Sequence, residues 1–473
     1  MSVAVGAIQY FDLNIEKVLE HWPVSFAVRE IIANALDEQA ITGTAEPAIT
    51  QLGEHTWVIS DHGRGLRYQH LTQKENSEKK RHPAVIGQFG MGLKDALAVF
   101  HRRGIGIQIH SPHGDITTVM RTKEGFADIT TLHAAVHRPT DPARPGTRIV
   151  LDGIRADQIT SARQMFLRYN NELILETSSN GQVLARPDHS TAANIYVKGL
   201  LVAQEENFLF SYNITNLTKN LRQALNRERT NVGRTAYTDR VKAILKQCRS
   251  ADVARGLADD LGQFSTGHMH DELTWTDVAV HACKVLAAHE KVVFVSRFQL
   301  EYGGAQLDYA RHDGYRLVLV PDDIATRIGN ITDLHGEPLI DLDGYRDVWN
   351  GSFTFQFVPP AHLRPAERRI YDLTDRIVAA SGINLIHSRV RAILISETMR
   401  LDHAGTQVLG VYEPAEQRIV IRRDQLADPI AYCGTLLHEL THAASNATDG
   451  TLAFESALTQ QLGILAVELL GRT

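Results

Sequence analysis

Residues 24–40, VSFAVREIIANALDEQA, predict an amphipathic helix near the start of the chain. Its apolar side is formed by four residues at helical spacing: Val28, Ile31, Ile32 and Ala35. Glu30, Asn34 and Asp37 stand at i, i+4 and i+7, so they share the opposite face. A carboxylate and an amide there can activate a water molecule and hold Mg²⁺ through oxygen ligands. A solvated helix face has the same pattern, so this helix alone does not decide the function.

Two segments with glycines follow this helix. Asp61-His62-Gly63-Arg64-Gly65 comes directly after a strand predicted at residues 55–60, and a buried Asp61 carboxylate can accept a hydrogen bond from an adenine amino group. Residues 87–94, GQFGMGLK, open a helix predicted at residues 93–100. The backbone N–H groups of this loop and the helix N-terminus suit phosphate oxygens, and Lys94 adds positive charge. Together the segments predict a nucleotide site.

The order of these elements resembles that of the GHKL ATPase superfamily. This superfamily includes type II topoisomerases, heat-shock chaperones of the ninety-kilodalton class, mismatch-repair ATPases, MORC proteins and histidine kinases. Its pattern is Glu-x3-Asn-x2-Asp, Asp-x-Gly-x-Gly, Gly-x2-Gly-x-Gly and then Gly-Thr, which is Gly146-Thr147 here. All four elements occur in order within the first ~150 residues.

The resemblance implies an α/β sandwich that binds ATP and Mg²⁺. It makes Glu30 the general base that activates water, Asn34 the Mg²⁺ ligand and Asp61 the residue that contacts adenine. Residues 66–86 would form a mobile lid over ATP. The other implied nucleotide-binding residues are Asp37, Gly63, Gly65, Gly87, Gly90, Gly92, Lys94 and Thr147. A glutamate at position 30 favours the ATP-hydrolysing branch over the histidine kinases.

The next segment, residues 153–262, corresponds to the ribosomal-S5-like transducer domain that usually follows in hydrolysing GHKL proteins. Such a domain sends a basic residue to the γ-phosphate, and Lys198, Lys219 and Arg227 all qualify. We expect one strand over residues 194–202 and a long basic helix over residues 219–246, where eight Lys and Arg residues stand against two acidic ones. That basic stretch fits a solvated helix, a phosphate sensor or a nucleic-acid contact.

A metal motif lies near the C-terminus. His438-Glu439-Leu440-Thr441-His442 is HExxH, which on a helix lets both histidines reach one Zn²⁺ while Glu439 accepts a proton from water. A predicted helix at residues 365–380, a strand at residues 391–397 and a hairpin at residues 407–423 precede it. Two helices complete the predicted order of elements.

This region resembles the zincin metallopeptidases, most closely gluzincin-like forms whose third ligand is a Glu on the following helix. That resemblance makes Glu455 the third metal ligand, with Asp449 as the alternative. The metzincin form is disfavoured because Ser445 and Thr448 stand where it needs Gly and His. Tyr412 and His387 are candidates to stabilise the oxyanion. Peptidases of this type bind an extended substrate along an edge strand, which the hairpin supplies.

Composition sets the outer limits. The chain has 473 residues and a formal net charge of −6, which excludes a protein that coats polyanions generically. None of its three cysteines forms a CxxC pair, which excludes a cysteine-based zinc knuckle. We see no signal peptide and no membrane-spanning run, so we expect a cytoplasmic protein. The predicted fold is multidomain α+β. Its four domains are a GHKL ATPase domain (1–152), an S5-like α+β transducer (153–262), a small α/β connecting domain (263–358) and a zincin-like α+β domain (359–473).

The leading hypothesis is an ATP-regulated zinc metallopeptidase that acts on a protein or peptide. ATP binding would close the lid, with dimerisation as in GHKL relatives, and would gate the C-terminal peptidase. Fusions of an ATPase to a proteolytic effector in bacterial conflict systems suggest, by analogy only, a role in anti-phage defence. The alternative is a MORC-like ATP-driven clamp on nucleic acid with a structural or degenerate zinc site. A chaperone has only the ATPase resemblance in its favour.

Overall fold

The computed structural model describes residues 8–15, 22–71, 79, 82, 85–86, 92–187, 192–227, 232–387 and 390–471. The protein is multidomain and mixed α+β. It divides into two compact units, Met1–Leu257 with Met269–Ala282 and Ala258–His268 with Cys283–Thr473. The finer division into four domains stays a prediction. Among the described residues, no helix combines the length and apolar character needed to cross a membrane.

A seven-stranded sheet forms the first part of unit one. Its strands are β1 (Gln9–Asp12), β2 (Ala48–Gln51), β3 (Thr56–Ser60), β4 (Gly106–His110), β5 (Asp115–Lys123), β6 (Phe126–His137) and β7 (Arg148–Asp152). They pair antiparallel in the order β1-β6-β5-β4-β7-β3-β2. Three helices share a hydrophobic core with this sheet: α1 (Val24–Thr42), α2 (Gly92–Arg102) and α3 (Ala156–Gln164).

The helix predicted over residues 24–40 is confirmed as α1. Val28, Ile31, Ile32 and Ala35 are all buried, as the apolar spacing predicted. Gly43, with φ of 66°, ends the helix in the left-handed conformation and donates its N–H to the Gln39 carbonyl at 2.8 Å.

A second, five-stranded sheet follows in unit one. Its strands are β8 (Ile174–Thr177), β9 (Gly181–Leu184), β10 (Ala193–Val197), β11 (Leu200–Glu205) and β12 (Ser211–Ile214), in the order β11-β10-β12-β9-β8. The prediction of one strand over residues 194–202 is wrong. Lys198 and Gly199 have φ of 50° and 79°, and this turn folds β10 back onto β11 as a hairpin.

The helices after this sheet are α4 (Lys219–Arg227), α5 (Thr238–Leu245), α6 (Ala251–Leu261) and α7 (Thr276–His289). The prediction of one long basic helix over residues 219–246 is therefore wrong. Gly233 has extended backbone angles, and a short 3₁₀ turn at Arg234–Ala236 separates it from α5. Residues 228–231 lie outside the described part of the chain.

Unit two begins with a small α/β segment in which two parallel strands pair, β13 (Val292–Val295) and β14 (Arg316–Leu319). Its helices are α8 (Arg297–Tyr302), α9 (Gly304–His312), α10 (Asp322–Ile328) and α11 (Leu342–Ser352). Pro321 is the N-cap residue of α10.

A four-stranded sheet in the order β15-β16-β18-β17 lies in the rest of unit two. Its strands are β15 (Phe357–Val358), β16 (Ala392–Ser396), β17 (Gly410–Glu413) and β18 (Arg418–Arg422). The helices of this part are α12 (Pro365–Tyr371), α13 (Thr374–Ser381), α14 (Pro429–Ser445) and α15 (Leu452–Leu470). The single helix predicted over residues 365–380 is wrong, because the helical run is interrupted at Asp372 and Leu373. Strand β17 lies at one edge of the sheet, antiparallel to β18.

Candidate functional site

The polar face of α1 is buried rather than solvated. Glu30 is 5% exposed and Asp37 is 1% exposed, while Asn34 is half-buried. Carboxyl groups are seldom buried to this extent unless they are paired or bind a ligand. The alternative of a solvated helix face is therefore wrong.

Two oxygens of this face form a site that attracts a cation. The Lys79 ammonium group donates to Asn34 Oδ1 and to Asp37 Oδ2, each at 3.0 Å. The other oxygen of Asp37 accepts the Ile86 N–H at 2.7 Å. An amide and a carboxylate oxygen that converge on one positive group are also the ligand types that Mg²⁺ takes in proteins.

Glu30 lies beside a buried arginine. Both Nε and Nη2 of Arg29 donate to Glu30 Oε1, at 3.2 Å and 2.6 Å, and Arg29 has no exposed surface. The Arg29 guanidinium also lies over the rings of Trp22 and Phe26, 5.6 Å and 4.9 Å from their centroids. These contacts fix the orientation of the Glu30 carboxylate.

Asp61 and Thr147 form a second buried polar group in unit one. Asp61 Oδ1 accepts the N–H groups of Gly63 and Thr147 at 2.9 Å and 3.2 Å, and burial raises the pKa of its carboxyl group. Gly146 has φ of 72°, and a Cβ there would lie 2.1 Å from the Asp61 carbonyl oxygen. Only glycine therefore fits beside Asp61, which accounts physically for the Gly-Thr pair.

Of the three basic residues that could contact the γ-phosphate, Lys198 is the one that the described structure brings near Val85 and Asp37. It lies in the β10–β11 turn, and its ammonium group donates to the Val85 carbonyl at 3.2 Å. Burial lowers the pKa of Lys198, and the negative charge of Asp37 opposes that shift. Lys219 is exposed, and the side chain of Arg227 lies outside the described atoms.

The predicted phosphate loop is described only at its end. Gly92 begins α2 and is buried, and Lys94 is half-buried on the first turn. Gly87, Gly90 and most of the predicted lid lie outside the described residues, so their assignments stay predictions. In the turn after β3, a Cβ at Gly63 would lie 2.2 Å from Glu38 Cγ, and a Cβ at Gly65 would lie 2.6 Å from Pro112 Cδ.

The HExxH motif lies on α14, as predicted, and brings three ligand atoms together. His438 Nε2 and His442 Nε2 are 3.1 Å apart, and Asp449 Oδ1 lies 3.1 Å and 3.2 Å from them. Among the described residues, this is the one group of three or more His, Cys, Asp or Glu residues whose ligand atoms all lie within 4.8 Å of one another. Tetrahedral zinc with bonds of ~2.0–2.1 Å places its ligands ~3.3 Å apart, so the separations fit that ion.

The third member of this cluster is Asp449, and Glu455, the ligand that the resemblance favours, is not part of it. Glu455 is exposed, whereas its neighbour Phe454 is the residue of α15 that faces the histidines, with its ring centroid 4.2 Å from His442. Consecutive helical residues point ~100° apart, so Glu455 cannot share that direction. Asn446, with φ of 55°, ends α14 and turns the chain so that Asp449 reaches the histidines.

The imidazole groups are prepared for a ligand on Nε2. His442 Nδ1 donates to the Ala447 carbonyl at 2.8 Å, which leaves the Nε2 lone pair facing the cluster. Burial lowers the pKa of His438, against the opposing charge of Asp449, and thus favours the neutral ring that binds metal.

Glu439 lies beneath the edge strand. It is 6% exposed, and burial together with the negative charge of Asp449 raises its pKa to about 7, although the Tyr412 N–H donates to it and opposes the shift. A Cβ at Gly410 would lie 2.9 Å from Glu439 Cγ, so β17 passes very close to this carboxylate. Tyr412 contributes this backbone group while its side chain packs in the core, and His387 is exposed.

Sequence reasoning missed three residues of these sites. Arg29 adjoins Glu30 in sequence, a spacing that rarely produces a side-chain pair on a helix. Lys79 belonged to a charged segment that gave no sign of a specific partner. Gly410 carried a usable signal, because a glycine inside a predicted strand often marks a close backbone approach.

Comparison with known proteins finds one matching family model and two relatives from Mycoplasma pneumoniae. The family model described as the Mycoplasma pneumoniae MPN635 N-terminal domain matches residues 157–251. An uncharacterized protein of Mycoplasma pneumoniae is 37% identical over 242 residues, which cover 50% of this chain and 97% of the relative. A second uncharacterized protein of that organism is 24% identical over 350 residues, which cover 67% of this chain and 96% of the relative. The chain belongs to the same protein family as the first of these Mycoplasma pneumoniae proteins.

Proposed function

We propose that the protein is an ATP-regulated zinc metallopeptidase. The observation that carries the proposal is the convergence of His438, His442 and Asp449 near the buried Glu439. Glu439 itself lies against the edge strand β17 at Gly410. Hydrolysis of an extended peptide requires a metal site, a group that accepts a proton from water and a strand edge that binds the peptide.

In the proposed peptidase, His438, His442 and Asp449 hold Zn²⁺, which supplies Lewis-acid chemistry for amide hydrolysis when bound. Glu439 accepts the proton of the attacking water on its carboxylate and returns it to the leaving amine. A pKa of about 7 suits both roles near neutral pH. Strand β17, at the edge of the sheet, pairs with the substrate backbone and aligns the scissile bond, once the Tyr412 N–H leaves Glu439.

In the proposed ATPase, Asp61 accepts a hydrogen bond from the adenine amino group while Thr147 and Gly146 shape the floor of the base pocket. Asn34 is the proposed Mg²⁺ ligand, with Asp37 beside it where the Lys79 ammonium group now lies. Glu30, held by Arg29, orients the attacking water. Lys198 senses the γ-phosphate, and its proximity to Val85 and Asp37 favours it over Lys219 and Arg227.

We further propose that ATP binding gates the peptidase and is accompanied by homodimerisation. Gating requires that the nucleotide-bound and nucleotide-free states differ in how well they support the peptidase-active conformation. The cytoplasmic location and a role in anti-phage defence belong to this proposal as expectations from the sequence.

The nucleic-acid clamp has less support. Several basic side chains of residues 219–246 already have partners within unit one: Arg234 with Asp271 at 2.6 Å, Lys246 with Asp277 at 3.0 Å, and Lys242 over the Trp275 ring at 5.0 Å. Binding to phosphates would require these contacts to be exchanged, which reduces the net gain.

The zinc content of the purified protein tests the proposal. We expect about one zinc ion per chain in the wild type and almost none in His438→Ala, measured by mass spectrometry of the metal after dialysis against trace-metal-free buffer. Glu439→Gln is the matched control, because it keeps the ligands and should keep the zinc. Absence of zinc from the wild type would contradict the peptidase.

A further inference from the structure

The loop between α14 and α15 does more than supply a ligand. It carries Asp449, and its Ala447 carbonyl accepts the Nδ1–H group of His442. Its end is tied down by Thr451, whose hydroxyl group donates to the Thr448 carbonyl at 2.7 Å and accepts the Phe454 N–H at 3.3 Å. The position of Phe454 is thus fixed by the same loop that delivers the carboxylate.

The Phe454 ring contacts both histidines of the cluster. It stacks on His442 at 4.2 Å with an interplanar angle of 21°, and it meets His438 edge to face at 4.8 Å and 61°. Phe454 is 5% exposed, so the ring excludes water from that side of the imidazoles. The two imidazole rings also contact each other, at 4.7 Å and 74°.

Stacking restricts the torsion that an isolated imidazole would explore. Rotation of His442 about its Cβ–Cγ bond would break the parallel contact with Phe454 and the hydrogen bond to Ala447 together. The aromatic wall and the carbonyl therefore hold the His442 ring from two directions. Both Nε2 atoms consequently point at Asp449 Oδ1 without further rearrangement.

We propose that Phe454 is a positioning residue for the metal site and sets its affinity by holding the imidazoles of His438 and His442 in the metal-binding orientation. This inference rests on the proposed zinc site. It goes beyond it, because Phe454 has no ligand atom and acts only through the two rings. A preorganised site loses less conformational freedom on binding, and its apolar wall strengthens the metal–ligand electrostatics.

The experiment compares Phe454→Leu with Phe454→Tyr and Ile464→Ala in the full-length protein. Leucine keeps an apolar side chain but cannot stack, whereas tyrosine keeps the ring. Ile464 lies on the same helix and touches α13 near Gly382, ten residues and ~15 Å beyond Phe454, so Ile464→Ala weakens helix packing without reaching the histidines.

Zinc affinity is measured by competition with a chromophoric chelator, and the visible absorption of the Co²⁺-loaded protein reports ligand geometry. We expect Phe454→Leu to raise the zinc Kd about 10-fold or more and to weaken the tetrahedral Co²⁺ bands. Phe454→Tyr and Ile464→Ala should stay within about threefold of the wild type and keep its spectrum. Thermal unfolding of the metal-free proteins corrects for differences in fold stability.

Equal zinc affinity and equal Co²⁺ spectra for Phe454→Leu and Ile464→Ala would overturn the positioning role. If the wild type binds zinc and His438→Ala does not, that result leaves the proposed metal site intact. If the wild type itself binds no zinc, the proposed function and this inference both fail.

Discussion

Replacement of Gly410 by alanine tests how closely the edge strand must approach the HExxH helix. An ideal Cβ at this position would lie 2.6 Å from Thr435 Cγ2, 2.9 Å from Glu439 Cγ and 3.0 Å from Glu439 Oε1. Ordinary carbon–carbon contacts lie at ~3.5–4.0 Å, so β17 must move away from α14 by about 1 Å.

This displacement has two measurable costs. Overpacking of this kind costs about 1–3 kcal/mol, and each kcal/mol lowers the melting temperature of a 150–250-residue domain by about 2–4 °C. A shift of about 1 Å at a strand that aligns substrate also reduces turnover by a factor on the order of 10². We therefore expect Gly410→Ala to lower both the Tm of unit two and the rate of peptide cleavage, and to leave ATP hydrolysis unchanged.

The assay combines thermal unfolding with cleavage of an internally quenched peptide library. Gly434→Ala is the matched control, because Gly434 lies on α14 with nothing within 4 Å of its Cβ, and alanine there should stabilise the helix by about 0.5–1 kcal/mol. Adding Thr435→Ser to Gly410→Ala removes the closest clashing atom and should restore part of the stability. A Gly410→Ala protein with wild-type Tm and cleavage would refute the reasoning.

Three further predictions concern ligation, phosphate sensing and pH. Asp449→Asn should weaken zinc binding at least about 10-fold, while Glu455→Gln should leave the zinc Kd unchanged. If Glu455→Gln weakens zinc binding and Asp449→Asn does not, Glu455 is the third ligand, as the sequence favoured. Lys198→Ala should lower kcat for ATP hydrolysis far more than it raises KM, whereas Lys219→Ala should behave like the wild type. Equal effects of the two substitutions would contradict the assignment of Lys198 as the γ-phosphate sensor. Glu272 has no exposed surface, and its Oε1 accepts the Leu209 N–H and the Tyr212 hydroxyl group, each at 2.9 Å. Burial raises the pKa of Glu272, so the stability that this carboxyl group contributes is present at low pH and falls as the pH rises through its folded pKa. The unfolding free energy of the wild type minus that of Glu272→Gln should therefore decrease as the pH rises above the ordinary glutamate pKa of 4.5, and a constant difference in denaturant titrations would contradict this.

Local periodicity predicted the parts of the fold that depend on neighbours in sequence. The helix carrying Glu30, Asn34 and Asp37 was correct, because the 3.6-residue period fixes which side chains share a face. Their burial was not predictable in the same way, since it depends on Lys79 and Ile86, which come from a distant segment. Periodicity tells which residues share a face and not what covers it.

The cluster of His438, His442 and Asp449, the proposed metal site, shows the same difference between local and distant contacts. The pairing of His438 and His442 follows from i, i+4 spacing on a helix, and the sequence predicted it. The choice between Asp449 and Glu455 depended on where α14 ends. Asn446 adopts the left-handed conformation and ends α14 there, which places Asp449 at the histidines. Asparagine is one of the few residues that adopt the left-handed conformation readily.

The errors in strand and helix assignment also have local physical causes. Lys198-Gly199 interrupts an apolar run that reads as one strand, and a glycine in such a run is a turn signal. Gly233 lies in the middle of the basic stretch, where a helix would be disfavoured. Gly199 and Gly233 are therefore the sequence signals that indicate the hairpin and the interrupted helix.

Cleavage of the quenched peptide library with and without ATP and Mg²⁺ tests the central claim most directly. The zinc-loaded wild type should cleave peptides at a rate that changes at least about fivefold on addition of ATP and Mg²⁺. Glu439→Gln should retain zinc and show no cleavage, and Asp61→Asn should retain zinc and lose the response to ATP. Cleavage that persists in Glu439→Gln, or that is the same with and without ATP, would contradict an ATP-regulated peptidase.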